Sequence, residues 1–129
     1  MTQQNPAGTI RVIVVDDDAI VRETLSSILD SEPDIDVIAT ADNGAEAVAL
    51  VHERTVDVAL MDIQMPGLTG IEATSRICAD PALAATRVLI MTMFEVDDYV
   101  LGALRAGACG FLLKDTDPQS LVDAVRTVH

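Results

Sequence analysis

Six polar side chains come at the ends of short apolar runs in the sequence: Asp16, Asp17, Asp18, Asp62, Thr92 and Lys114. Carboxylates that lie close together repel one another unless they are protonated or a cation neutralises them. Several oxygen ligands in one place suit Mg²⁺ better than zinc or copper. A carboxylate acceptor, a divalent cation, a hydroxyl and a lysine together favour phosphoryl transfer, in which catalysis is mostly positioning and charge neutralisation.

Each of these residues also has an ordinary structural interpretation. An aspartate after a strand often forms a turn or caps the next helix, and we predict that Asp18 is such an N-cap. Lys114, the only lysine of the chain, would by itself indicate a structural ion pair. The functional interpretation therefore depends on whether the other aspartates meet Lys114 in space.

The apolar runs are the elements that must position these side chains. They are mostly apolar on both faces, which is typical of strands in a parallel sheet covered on both sides, and they span residues 11–15, 36–41, 56–61, 87–91 and 110–113. Between them apolar residues recur at helical spacing, in three stripes: Val21, Leu25 and Ile28; Val100 and Leu104; Leu121, Val125 and Val128. Asn43 and Pro118 are typical of helix starts. We predict a doubly wound α/β fold with its ligand site at the carboxyl ends of the strands.

The charge of the chain excludes several classes of partner. Of 129 residues, 21 are acidic and 8 are basic, which gives a formal net charge of −13. The length suits one domain, and half of the residues are apolar, which excludes a disordered polyanion. The negative charge excludes direct binding of this domain to nucleic acid or to an anionic membrane. Acids such as Glu32, Glu53 and Asp123 are expected to be solvated surface residues.

The remaining composition indicates an intracellular protein. Cys78 and Cys109 are predicted to be free thiols in a reducing compartment, and His52 and His129 to be surface residues rather than ligands. Residues 1–9 are polar, without a basic cluster, and are predicted to be a flexible N-terminal tail. No apolar run is long enough to cross a membrane. We therefore expect a cytoplasmic protein with no membrane contact.

Four segments resemble the receiver domain of bacterial two-component response regulators: residues 12–17 (VIVVDD), 60–70 (LMDIQMPGLTG), 91–92 (MT) and 106–115 (AGACGFLLKD). The resemblance extends over about residues 10–128, so we assign residues 10–129 to a receiver domain. It implies a flavodoxin-like (CheY-like) fold, a five-stranded parallel sheet of order 2-1-3-4-5 with five helices. The GFLLKD ending is most similar to the NarL/FixJ subfamily, whose receivers precede a LuxR-type helix-turn-helix DNA-binding domain.

The resemblance also implies a phosphoacceptor and a metal site. Asp62 matches the aspartate that accepts a phosphoryl group from a phosphohistidine of a sensor histidine kinase. Asp16 and Asp17 match the acidic pair that holds Mg²⁺ or Mn²⁺. The carboxylate of Asp62 and the backbone carbonyl of Gln64 complete the protein ligands. Lys114 matches the lysine that binds the phosphoryl group.

Further positions are implied to sense or tune the phosphorylated state. Thr92 matches the hydroxyl that moves towards the phosphoryl group, and Phe111 the aromatic ring that turns inward with it. Gln64 and Phe94 occupy positions that tune the lifetime of the acyl phosphate. Met93 replaces a residue that is usually small, and we expect Met93 and Phe94 to narrow access to the site. Many receivers carry a cis Lys-Pro bond after the lysine, whereas Asp115 follows Lys114 here and predicts a trans peptide.

The resemblance implies that phosphorylation changes which partner the domain binds. The resemblance predicts a homodimer on phosphorylation, through the first and fifth helices or through the fourth helix with the fifth strand and helix. The helical pattern is unbroken at His129, so we expect a longer transcription regulator whose DNA-binding domain lies outside this chain. The domain itself is expected to be no enzyme beyond self-phosphorylation from phosphodonors and slow autodephosphorylation.

Two other functions stay open at this point. One is a receiver-like interaction module, alone or independent of phosphorylation. The other is a Mg²⁺-dependent phosphohydrolase with Asp62 as nucleophile, although enzymes of the haloacid dehalogenase pattern need an aspartate at position 64, where this chain has glutamine. A dinucleotide-binding domain is disfavoured because no G-x-G-x-x-G follows the first strand.

Overall fold

The computed structural model describes residues 9–63, 65, 67–92 and 98–129. The predicted roles of Gln64, Met93 and Phe94 fall outside the described residues, as does the predicted tail up to residue 8.

The described residues form five parallel strands and five helices in alternation. The strands are β1 (Ile10–Val15), β2 (Ile35–Ala41), β3 (Val58–Asp62), β4 (Arg87–Thr92) and β5 (Gly110–Leu113). The helices are α1 (Ala19–Asp30), α2 (Gly44–Glu53), α3 (Gly70–Ala79), α4 (Asp98–Arg105) and α5 (Pro118–Val128), with a short 3₁₀ turn at Pro81–Leu83. The sheet order is β2-β1-β3-β4-β5, which confirms the predicted fold.

The third strand differs from its predicted bounds at both ends. It starts at Val58 because the carboxylate of Asp57 accepts the backbone N–H of Arg11 at 2.8 Å, in place of a backbone carbonyl. It ends at Asp62 because this residue still pairs with Met91 of β4. Asp62 is therefore the last residue of a central strand rather than the first residue of a loop.

Side chains alternate between two hydrophobic clusters, one on each face of the sheet. Ile13 and Val15 of β1 pack with α2, α3 and α4, whereas Val12 and Val14 pack with α1 and α5. One predicted stripe is wrong in part, since Leu104 is 36% exposed. The short helix α4 buries Val100 and Ala103 instead, because residues three apart also share a helix face.

Side-chain caps fix where the helices start. Asp18 accepts the N–H groups of Ile20 and Val21, and Asn43 accepts that of Glu46, as predicted. Pro118 occupies the first turn of α5. Within the described ranges, no helix combines the length and the apolar character that a membrane span needs.

Candidate functional site

The carboxyl ends of β1, β3 and β5 bring the predicted acids and the lysine together. Asp16 directly follows β1, Asp62 ends β3 and Lys114 directly follows β5. The backbone N–H of Lys114 donates to the carbonyl of Thr92 at 2.8 Å, which continues the pairing of β4 and β5 by one step. The backbone of Lys114 is thus held in register with β4 independently of the contacts of its side chain.

The ammonium of Lys114 bridges two of the aspartates. Its Nζ lies 2.8 Å from Oδ2 of Asp16 and 3.2 Å from Oδ1 of Asp62. Burial by itself lowers the pKa of Lys114, but the hydrogen bond to Asp16 and the charges of both carboxylates outweigh it, so the pKa is raised. Asp16 is 1% exposed and Asp62 is 4% exposed, so two of the charges are nearly removed from water.

A third carboxylate gives this group of side chains an excess of negative charge. Carboxylate oxygens of Asp16, Asp17 and Asp62 all lie within 4.8 Å of one another. Three carboxylates and one ammonium sum to −2, which one divalent cation would neutralise. Beyond its ion pair with Lys114, Oδ2 of Asp16 is buried and makes no hydrogen bond among the described residues. Oxygen donors with one exposed member, Asp17, leave room for water and fit Mg²⁺.

An open depression of about 550 Å³ adjoins Asp17 on the solvent side. Its lining includes Asp42 and Asn43 at the start of α2 and Leu68 before α3. Of the three clustered acids, Asp17 is therefore the one that lines this depression.

The predicted hydroxyl and aromatic residues lie on β4, which pairs with β3, and on β5, which pairs with β4. Thr92 ends β4 and is 2% exposed. Phe111 of β5 is partly buried against the cluster that contains Ile77 and Ala103. Asp18 caps α1 and thereby has the structural role predicted for it. The described residues contain no cis peptide bond, so the bond from Lys114 to Asp115 is trans as predicted.

Sequence reasoning missed Arg22, which fixes the backbone at the acidic pair. Its Nη1 donates to the backbone carbonyl of Asp16 at 2.8 Å, while the N–H of Asp18 donates to Oδ1 of Asp16 at 2.9 Å. Arg22 lies one turn into α1, where an arginine is an ordinary helix residue. No signal in a single sequence distinguishes it from a solvated arginine.

Gly70 is a second residue whose role appears only in the fold. A Cβ atom at this position would lie 2.1 Å from the backbone oxygen of Asp62. The N–H of Gly70 also donates to the carbonyl of Ile63 at 3.1 Å. Because α3 begins directly against the end of β3, a larger residue would displace the strand end that carries Asp62.

Comparison with known proteins gives consistent relatives. The response regulator receiver domain family matches residues 12–126. The transcriptional regulatory protein LiaR of Bacillus subtilis (strain 168) is 42% identical over 117 residues, which cover 91% of this chain and 54% of LiaR. The oxygen regulatory protein NreC of Staphylococcus aureus (strain JH9) is 43% identical over 121 residues, which cover 93% of this chain and 55% of NreC. The chain spans about half the length of these curated relatives.

Solved structures agree with this relationship. The crystal structure of a LuxR-family two-component response regulator from Aurantimonas sp. SI85-9A1 matches with a TM-score of 0.85 at 39% identity. The match covers 93% of this chain and 84% of that one.

Proposed function

This chain belongs to the response regulator receiver domain family, as its motifs predicted, and we propose that Asp62 is its phosphoacceptor. The domain is a regulatory switch of transcriptional response regulators rather than a catalyst of turnover. The observation that carries the proposal is the position of Asp62: it ends a buried central strand, within ion-pair distance of the chain's only lysine and beside two further carboxylates.

Asp62 is the best of the three aspartates for this role. Oδ1 of Asp16 accepts the N–H of Asp18, and its Oδ2 is paired with Lys114, so this carboxylate is held in place. Asp17 is exposed at the rim. Asp62 lies within ion-pair distance of Lys114 and beside both other carboxylates, so a phosphoryl group on it would be next to the ammonium and to the acids that would hold the metal ion.

The transfer forms one bond and breaks one. A carboxylate oxygen of Asp62 bonds to the phosphorus of a phosphohistidine, the phosphorus–nitrogen bond breaks, and the imidazole leaves with its electron pair. The ammonium of Lys114 binds an oxygen of the phosphoryl group and neutralises part of its charge. Asp16, Asp17 and Asp62 would hold Mg²⁺ together with the backbone carbonyl that the resemblance assigns to Gln64, and the ion would supply the remaining charge neutralisation.

The phosphorylated state is read out through β4 and β5. New negative charge beside Lys114 attracts the hydroxyl of Thr92. Phe111 then turns inward and changes the surface formed by α4, β5 and α5. Leu101 and Leu104 leave apolar area exposed on α4, which supports this surface as the contact of a phosphorylation-dependent homodimer. Phe94 and Gln64 are proposed to tune the lifetime of the acyl phosphate, and Met93 and Phe94 to narrow access to it.

A sensor histidine kinase is the proposed donor. Ile20, in the first turn of α1, is 74% exposed although it is a large aliphatic residue. It follows the acidic pair by only three residues, so a docked protein would bury it while delivering its phosphoryl group. Ile20→Lys is expected to slow transfer from the kinase at least tenfold but to leave labelling by acetyl phosphate unchanged. Leu101→Lys is the matched control on α4.

The DNA-binding output is proposed to lie outside this chain. The curated relatives named as transcriptional regulators are about twice as long as the matched region, and a net charge of −13 is unsuited to DNA. The proposed protein is cytoplasmic, since phosphohistidine transfer and gene regulation both take place there. The gene sequence downstream of codon 129 tests this directly, because a helix-turn-helix pattern is expected within about the next hundred codons.

Phosphorylation of the purified chain tests the central proposal. With acetyl phosphate and Mg²⁺, intact mass should increase by one phosphoryl group, and chelation of the metal should prevent it. Asp62→Asn should abolish labelling, whereas Asp42→Asn, a change at an exposed acid beside the site, should not. Labelling that survives in Asp62→Asn would overturn the assignment.

The same experiment separates the other functions. Turnover of a small phosphoester, as opposed to slow autodephosphorylation after labelling by acetyl phosphate, would indicate a phosphohydrolase. If beryllofluoride with Mg²⁺ changed neither the spectrum nor the sedimentation of the chain, a phosphate-independent interaction module would be favoured.

A further inference from the structure

Two cysteines that are distant in sequence lie around one turn: one is in the connection between α4 and β5, and the other is in the part of α3 against which that connection packs. Cys78 lies in the last turn of α3, and Cys109 directly precedes β5. Both are exposed free thiols. The site is separate from the acids at the opposite ends of the strands, so the inference does not rest on the proposed phosphoacceptor.

Gly107 shows how closely the chain passes Cys78. A Cβ atom on Gly107 would lie 2.6 Å from Cβ and 2.9 Å from Sγ of Cys78. Gly107 has a φ of +117°, a conformation that glycine adopts without strain. The turn between α4 and β5 is therefore packed against the Cys78 side chain two residues before Cys109.

The direction of β5 places the second thiol on the same face of the sheet. Phe111 packs in the cluster that contains Ile77, the neighbour of Cys78 on α3. Cys109 precedes Phe111 by two residues, and side chains two apart on an extended chain point to one face. Burial raises the pKa of Cys78, and the nearby Cys109 thiolate raises it further, which is consistent with two neighbouring sulfurs.

We propose that Cys78 and Cys109 form an oxidisable dithiol, which low-molecular-weight disulfides such as oxidised glutathione convert into an intramolecular disulfide. One cysteine thiolate attacks oxidised glutathione, so that a protein–glutathione disulfide forms and one glutathione thiolate leaves. The second cysteine thiolate attacks the protein sulfur of that bond and releases the second glutathione. Two protein thiols are oxidised by two electrons, oxidised glutathione is reduced, and the two protons pass to the two glutathione thiolates.

The crosslink would join the end of α3 to the entrance of β5. It would restrict the turn that contains Gly107. This turn leads into β5, and Lys114 follows the other end of that strand. Pairs of this kind in reducing compartments are transient and respond to oxidation rather than holding the fold together. The structure thus assigns a redox modification site to a face of the domain distant from the acids.

Mass spectrometry after incubation with oxidised glutathione tests the proposal. The folded chain should lose the mass of two hydrogen atoms while remaining monomeric, and its reactive thiols should fall from two to none. Dithiothreitol should restore both. Cys78→Ser and Cys109→Ser should each carry one glutathione and never show the two-hydrogen loss, with circular dichroism as the check that both variants fold.

A comparison in urea shows whether the fold creates the pair. Disulfide closure in the folded chain should be at least tenfold faster than in the unfolded chain, and the crosslinked chain should unfold at a higher urea concentration than the reduced chain. Stable attachment of a glutathione to each cysteine, disulfide-linked dimers alone, or equal closure rates with and without urea would overturn the proposal.

Discussion

The molecule gathers acids around a single cation at two places, with similar distances and different surroundings. In the strand-end cluster (Asp16, Asp17, Asp62 and Lys114), the ammonium lies 2.8 Å from Asp16. In the helix-end cluster (Glu32, Asp34, Asp123 and Arg126), the guanidinium lies 2.8 Å from both Glu32 and Asp34. Burial is the difference: Asp16 has 1% of its side chain exposed, whereas Asp34 and Arg126 each have 37% exposed.

This difference assigns the two clusters different tasks. Water screens the helix-end cluster, so its ion pairs contribute little to stability even though the hydrogen bond from Arg126 lowers the pKa of Asp34. The strand-end cluster has lost most of its hydration and retains an excess of negative charge. Buried charge of this kind costs free energy of folding, and under the proposed function its benefit is the binding of a cation and a phosphoryl group.

Among the variants that test this contrast, replacement of Lys114 with methionine is expected to have the largest effect. The variant keeps most of the side-chain volume but leaves two buried carboxylates without their cation, which should lower the free energy of unfolding by about 3 kcal/mol without metal. Urea denaturation with and without Mg²⁺ measures it, and Mg²⁺ should stabilise the variant more than the wild type. A loss under about 1 kcal/mol in metal-free buffer would mean that burial does not distinguish the clusters.

The strand-end cluster was also the one that sequence could predict. Apolar runs, turns and helical stripes specify a parallel sheet, and a parallel sheet brings the ends of its strands to one edge. Asp16, Asp62 and Lys114 were therefore expected at one edge, and the long side chain of Lys114 closes the remaining distance. The fold class and this edge follow from backbone periodicity, whereas the sheet order and the role of each residue came from the resemblance to receiver domains.

The helix-end cluster could not be predicted in this way. Arg126 reaches Asp34 across 92 positions, and that contact depends on how the end of α5 lies against the turn after α1. Glu32 and Asp123 were expected to be solvated, and the sequence pattern of an ion-paired surface acid is the same as that of a free one. The contact of Arg22 was missed for the same reason. Cys78 and Cys109 are free thiols as predicted, but their placement around one turn is set by tertiary packing and was not predicted.

Arg22→Gln tests the strand-end cluster by removing a residue that positions it but does not belong to it. Loss of the bond to the Asp16 carbonyl should weaken Mg²⁺ binding about tenfold, as is usual when a residue that orients a metal ligand is removed. Isothermal titration with Mg²⁺ measures this, and Arg76→Gln on the exposed face of α3 is the matched control. Tighter binding in Arg22→Gln would show that Arg22 acts by charge repulsion rather than by positioning.

Arg126→Met tests the exposed cluster with the same kind of change. We expect a loss of less than about 1 kcal/mol in the free energy of unfolding at low salt, and no measurable loss in 1 M NaCl, where the screening length is about 3 Å. The loss in Lys114→Met should persist at that salt concentration. Equal salt sensitivity of the two variants would contradict the distinction by burial.

The pair of His52 and Asp80 is the smallest test, because it is a single exposed pair between α2 and the end of α3. His52 was predicted to be a surface residue, and it is exposed, but its Nε2 lies 3.0 Å from Oδ2 of Asp80. The backbone carbonyl of Val48 and the carboxylate of Asp80 raise the pKa of His52 above 6.5. A raised pKa in the folded state stabilises the protein below pH 6.5, and this contribution is lost as the pH rises through the folded-state value.

Asp80→Asn isolates the charge in this pair. Asparagine keeps the side-chain oxygen that accepts the N–H of Ala82, so the turn after α3 should persist while the ion pair is lost. The His52 pKa, followed by NMR and assigned with His52→Gln, should fall in Asp80→Asn but stay above that of the unfolded chain, because the bond to Val48 is the larger cause. If the pKa of His52 did not change, water would screen the Asp80 carboxylate too strongly for it to affect His52. Exposed ion pairs in this protein would then be weaker than expected from the helix-end cluster.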